Sequence, residues 1–105
     1  MNISEYCRDY PCEDYFLSTL SEDGYWDEDN KVWCIEPLER IEENVEDEFL
    51  QVGRPGVDGI GFGYRQQQPG FWASNPIEPI EQRFQYLAPT VQEFLSGWMS
   101  GQITI

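Results

Sequence analysis

The sequence predicts a single α+β domain, residues 1–105, in which helices pack on an antiparallel-rich sheet. Three observations carry this. Apolar runs of strand character alternate with proline- and glycine-bearing turns through the second half, and a capped amphipathic helix follows them. Aromatic residues make up 15% of the chain and hydrophobic residues 40%. A disordered acidic tail would lack that content, because nothing would offset the entropy of ordering it. A chain of 105 residues also lies near the common domain size and can bury a core.

The elements follow in order. Pro11 with Cys12, Glu13 and Asp14 has the form of a helix start, carboxylates facing the positive end of the dipole. Cys12, Tyr15/Phe16 and Thr19/Leu20 repeat at helical spacing, so a helix is expected from Pro11 to Leu20, with Gly24 as terminator. Asp23 to Asn30 reads as an exposed acidic loop carrying two aromatics, Tyr25 and Trp26. Val32–Ile35 is a short strand. From Pro37 a second helix is expected, with Leu38, Ile41 and Val45 on one face and Glu39, Glu42, Glu43 and Glu46 on the other. Phe49–Val52 is a strand entering a turn at 53–56. Val57 opens a further strand to Tyr64, with Ile60, Phe62 and Tyr64 on one face. A turn over 66–70 leads to its antiparallel partner Phe71–Ala73. Asn75-Pro76 and Glu78-Pro79 break regular structure before a strand at Phe84–Leu87. Thr90-Val91-Gln92-Glu93 is a capping box, followed by Val91, Phe94, Leu95 and Trp98 on one helical face and Gly101 at the end. Ile103-Thr104-Ile105 is expected to add a terminal strand.

Twenty acids against six bases give a net charge of -14. Residues 1–48 hold sixteen of the acids and three of the bases; residues 49–105 hold four acids and three bases. Such a field repels nucleic acid and anionic membranes and draws in basic surfaces. Direct nucleic-acid binding and membrane association are therefore not expected. Surplus carboxylates also serve solubility. The N-terminal residues carry no basic stretch or long apolar run, and three cysteines, Cys7, Cys12 and Cys34, form no paired framework. A cytoplasmic protein with reduced thiols is expected, although a short Cys7–Cys12 bridge is conceivable.

No catalytic or cofactor constellation stands out. Histidine is absent, which removes the commonest general base and metal ligand. Three cysteines cannot complete a four-cysteine zinc site, and Asp27-Glu28-Asp29-Asn30 lacks the spacing of a calcium loop. Gly59-Ile60-Gly61-Phe62-Gly63 does not open a helix as a nucleotide loop would; glycines in a strand mark a bulge or the close approach of another backbone. No cofactor, no metal and no enzymatic activity are expected.

Several blocks are similar, in order, to the SUKH superfamily, which includes bacterial immunity proteins and fungal Smi/Knr cell-wall regulators. Phe49 to Tyr64, with Gly53, Asp58-Gly59, Gly61 and Tyr64, resembles its hydrophobic–FG–x–DG–x–G–x–x–Y segment. Leu87 to Leu95 resembles its closing A–x–S/T–hydrophobic–x–E–F–L helix, Pro11 to Leu17 its opening helix, and Ile35 to Ile41 its P-L-E-x-I step. The chain departs from the pattern where Val52-Gly53 replaces Phe-Gly, where Arg54-Pro55-Gly56 is inserted, and where Asp23-Gly24 stands for Asn-Gly. It reads as a divergent or N-terminally short member. The resemblance implies an α+β fold and a non-enzymatic role, in many bacterial members the neutralisation of a toxin, often a nuclease, by direct binding.

The expected function is therefore a non-enzymatic protein-binding domain, in the resemblance a toxin-neutralising immunity protein, acting on a basic partner through an acidic surface. Its contact residues would be Glu22, Asp23, Tyr25, Trp26, Asp27, Glu28, Asp29, Glu42, Glu43, Glu46 and Asp47, with the two aromatics as anchors. One alternative is a nucleic-acid-mimicking inhibitor from a phage or mobile element. The other is a small ligand-binding domain or enzyme, for which Arg54, Arg65 and Arg83 are the candidate anion clamps of the second half.

Overall fold

The computed structural model describes residues 4–56 and 59–104 and has the expected α+β architecture, with two antiparallel sheets. Its elements are α1 (Ser4–Cys7), α2 (Glu13–Phe16), α3 (Leu20–Asp23), β1 (Tyr25–Asp27), β2 (Val32–Ile35), β3 (Glu42–Asn44), β4 (Phe49–Gly53), β5 (Gly61–Arg65), β6 (Gln68–Ser74), β7 (Phe84–Ala88) and α4 (Val91–Ser100). Strands β3 to β7 form one five-stranded meander, each paired with its neighbour in sequence; β1 and β2 form a separate hairpin. Among the described residues, no helix is long and apolar enough to cross a membrane.

The core lies between the meander and the helices. Phe62 and Tyr64 leave one face of β5, and Leu50 and Val52 one face of β4. They meet Tyr10, Tyr15, Phe71 and Phe94, all but closed to solvent. Rings touch in series: Phe62 lies 4.6 Å from Phe94 and 5.4 Å from Trp98 between centroids, and Phe71 4.7 Å from Phe94. The opposite face of the sheet carries a smaller cluster. There Phe49 is buried against Phe84, and the Arg65 guanidinium lies 4.2 Å over the Phe84 ring and 4.8 Å over Trp72.

Helix α4 forms as its sequence dictates. Thr90 is extended, its hydroxyl accepts from the Glu93 amide at 3.1 Å, and Gly101 closes the helix in the left-handed region at φ 80°. Tertiary structure adds a second cap: the Val91 amide donates to Asp14 Oδ2 at 2.7 Å, and Gln92 Nε2 donates to the Asp14 carbonyl at 2.9 Å. The orphan amide of one helix is thus served by the carboxylate of another.

Four expectations are corrected. The helix over Pro11–Leu20 is broken into α2 and α3, because serine side chains compete for its backbone. Ser18 Oγ donates to the Tyr15 carbonyl at 2.9 Å and accepts from the Leu20 amide at 3.2 Å. The acidic loop over 23–30 is a hairpin arm, β1, with the turn after it. The helix expected from Pro37 is a single 3-10 turn, Leu38–Arg40, followed by edge strand β3 and the 45–48 turn. A helix there would set Glu39 against Glu43 and Glu42 against Glu46, like charges one turn apart. As a strand, Glu42 and Glu43 instead put charge on a sheet edge, which guards against edge pairing. Fourth, Ile103 and Thr104 form no strand; the Ile103 amide bonds back to the Gly97 carbonyl at 3.0 Å. Two smaller revisions concern the β5–β6 hairpin. Its turn is Gln66-Gln67 alone, and β5 begins at Gly61, whereas Val57, expected to open it, and Asp58 lie outside the described residues, as does Ile105.

Candidate functional site

The β1–β2 hairpin, the 3-10 turn and the start of β3 enclose an open groove of about 710 Å³. Trp26 stands on its rim, 42% exposed, packed edge-on against Trp33 across the hairpin at 5.4 Å between centroids. Its indole Nε1 donates to Glu28 Oε2 at 2.6 Å, and Lys31 Nζ donates to Glu28 Oε1 at 2.8 Å. These two donors hold the Glu28 carboxyl below its ordinary range, Lys31 contributing most.

The hairpin is shaped by Asp27. Its Oδ1 accepts from the Asp29 and Asn30 amides at 3.1 and 3.2 Å, its Oδ2 from Asn30 Nδ2 at 2.8 Å and from Trp98 Nε1 at 3.4 Å. The Asn30 side chain, then the backbone amides and Trp98, lower its pKa against the opposing effect of burial. A carboxylate with a depressed folded pKa adds stability above its unfolded value, and loses it as pH falls through the folded one. Asp27→Ala should therefore cost about 1–3 kcal/mol at neutral pH, through the loss of hydrogen bonds to a charged carboxylate. The gap from wild type should narrow on acidification below about pH 4. Urea unfolding of both proteins at neutral and acid pH measures this; a gap that widens in acid would refute it.

At the base of the groove Glu36 is buried, 3% exposed, between two guanidiniums: Arg40 Nε at 3.5 Å and Arg54 Nη2 at 3.3 Å. Its backbone is fixed as well. The Glu36 amide donates to the Val52 carbonyl at 2.6 Å, Tyr15 Oη donates to the Glu36 carbonyl at 2.7 Å, and the Arg54 amide donates to the Trp33 carbonyl at 3.2 Å. The two backbone bonds join the hairpin to the end of β4, and the Tyr15 bond ties it to α2. Arg40 also lies over the Trp33 ring at 5.9 Å.

The expected contact residues are partly brought together. Trp26 and Glu42 line the same groove, while the other acids of the 22–29 and 42–48 stretches lie outside its lining. Glu22 and Asp23 are exposed on α3, as are Asp29 after β1 and Glu46 after β3. Tyr25 is half-buried against the core. Asp27 is turned inward and satisfied within the hairpin, which corrects its assignment to the contact surface. Glu43 is exposed but accepts from Tyr10 Oη at 3.0 Å, and Asp47 pairs with Arg83 at 2.9 Å. Trp33, Glu36 and Arg40 were not singled out in the sequence. Glu36 and Arg40 pair locally, four positions apart, whereas Arg54 reaches Glu36 only through the docking of the hairpin beside β4.

The three arginines of the second half do not converge. Arg54 engages Glu36, Arg65 lies over Trp72 and Phe84, and Arg83 is held by Asp47 and the Glu78 carbonyl. The cysteines are thiols. Cys7 and Cys12 have their sulfurs 3.6 Å apart, and burial raises both pKa values; burial pushes Cys34 up to about 12. No cluster of metal-ligating side chains occurs among the described residues. Comparison of the chain with protein-family models, curated proteins and solved structures finds no match in any of the three.

Proposed function

We propose that the chain is a cytoplasmic, non-enzymatic domain that binds a basic protein partner at the hairpin side of the molecule. One observation carries the reading: Trp26, a large exposed aromatic, donates to the Glu28 carboxylate and shares its groove with Glu39 and Glu42. An exposed tryptophan backed by a second ring is the kind of anchor that dominates binding energy, and surrounding carboxylates speed encounter with a basic surface. The resemblance to the SUKH superfamily supports the same reading and narrows the partner to a nuclease-type toxin.

Trp26→Ala is the direct test. The side chain lies outside the buried core, so the variant should fold, while partner binding should weaken by at least about 30-fold, as for a hot-spot truncation. The immobilised protein, incubated with lysate of the source cell, should retain a basic protein at low salt and lose it as salt rises. Capture of no basic protein, or equal capture by Trp26→Ala, would refute the proposal.

A further inference from the structure

We propose that the groove beneath Trp26 is itself a receptor for a monocarboxylate borne on an apolar body, with Arg40 and Arg54 taking the carboxylate and Trp26 and Trp33 the body. The inference goes beyond protein binding and does not depend on it.

Charge placement is the first argument. The chain has only six bases, and three of them, Lys31, Arg40 and Arg54, line this one groove. Lys31 is matched by Glu28. Arg40 and Arg54 share the single carboxylate of Glu36. Glu39 and Glu42 line the groove as well and offset the formal charge of the arginines, so an anion is held by the two guanidinium forks and not by a net positive field. A monoanion meets less repulsion from these carboxylates than a phosphate dianion does.

Geometry is the second. Charge-assisted N–H···O⁻ bonds close to about 2.7–2.9 Å when optimised. The Glu36 contacts, at 3.3 and 3.5 Å, are long, and each uses one nitrogen of its guanidinium. Arg40 and Arg54 keep 56% and 41% of their side chains exposed, so unspent donors face the groove. Glu36 acts here as a positioning residue that aims both forks. Among the described residues Arg54 Nε is buried without a hydrogen-bond partner, so a shift of this side chain toward a ligand breaks none of the bonds described at that atom.

The walls are the third. Trp26, Trp33, Val32 and Ile41 supply apolar surface beside the two arginines, and the volume lies in the range of small-ligand sites. Two sources offer this chemistry: the C-terminal residue of a peptide and a free small carboxylic acid.

The experiment titrates the whole protein with N-acetyl-Leu-Phe, its C-terminal amide, 3-phenylpropionate and inorganic phosphate. Tryptophan fluorescence and the arginine Nε resonances are followed. At least one of the two carboxylates should saturate and shift the Arg40 and Arg54 signals and the Trp26 indole. The dipeptide alone identifies a peptide C-terminus, phenylpropionate alone a free small acid, and both acids a carboxylate irrespective of its source. Arg40→Gln, whose side chain is largely exposed and whose fold a thermal melt verifies, should weaken binding at least about tenfold, the worth of one charge-assisted bond. The amide should weaken similarly. The complex should not weaken as salt rises from about 10 mM to about 150 mM, because the field of the whole molecule repels an anion until screened. A basic partner protein shows the opposite trend. Equal affinity for acid and amide, preference for phosphate, indifference to Arg40→Gln, loss of binding with salt, or no saturation by either acid overturns the proposal.

Discussion

Phe62→Ala should destabilise the domain by about 3–5 kcal/mol, a large share of the total stability of a domain this size. The ring is completely buried and touches Phe71, Phe94 and Trp98, so it joins the middle of the sheet to helix α4. Truncation removes the transfer energy of the ring and leaves a cavity that paired strands on both sides of β5 cannot close. Phe62→Leu keeps most of the volume and should cost about 1.5 kcal/mol or less. Urea denaturation followed by far-UV circular dichroism reads both as shifts in midpoint. A loss below about 1 kcal/mol for Phe62→Ala would mean that the ring does not bridge sheet and helix as described.

Gly63→Ala should be nearly as damaging for a different reason, with a loss of about 3 kcal/mol or more. Gly63 pairs with Gln51 and with Trp72 in the centre of the meander, and a Cβ there would overlap the Leu50 carbonyl of β4. That neighbour is backbone and bears strand pairings, so relief requires β4 and β5 to separate. Gly101→Ala is the useful contrast. Its Cβ would meet nothing within 4 Å, and only the left-handed φ of 80° is strained, so the cost should stay near 1–2 kcal/mol. Equal effects of the two substitutions would show that backbone conformation, and not close approach, is what Gly63 supplies.

Where local rules and tertiary context agree, the sequence was readable. Helix α4 carried its own cap, stripe and stop, and β4, β5, β6 and β7 were each bounded by glycine or proline. Glycines in a strand mark a bulge or the close approach of another backbone, and Gly63 is a case of the second. The segment 37–48 misled because Leu38, Ile41 and Val45 match helical spacing by coincidence. Val45 proves 74% exposed, and the backbone groups of 42–44 find partners on β4. Helix 11–20 failed through serine hydroxyls, a competition that spacing of apolar residues does not register.

The sequence by itself determined the α+β class, the closing helix and the concentration of acid in the first 48 residues, because these rest on composition and on contacts within a few residues. Tertiary structure alone decided what that acid surrounds. Glu36 and Arg54 are eighteen positions apart, and Asp27 and Trp98 seventy-one. Only the docking of hairpin against sheet brings such pairs within reach. Packing also turned Asp27 inward and kept Trp26 at the rim, since Asp27 finds four donors there and the Trp26 indole needs only Glu28. Two adjacent residues that composition could not tell apart became a structural anchor and a candidate contact.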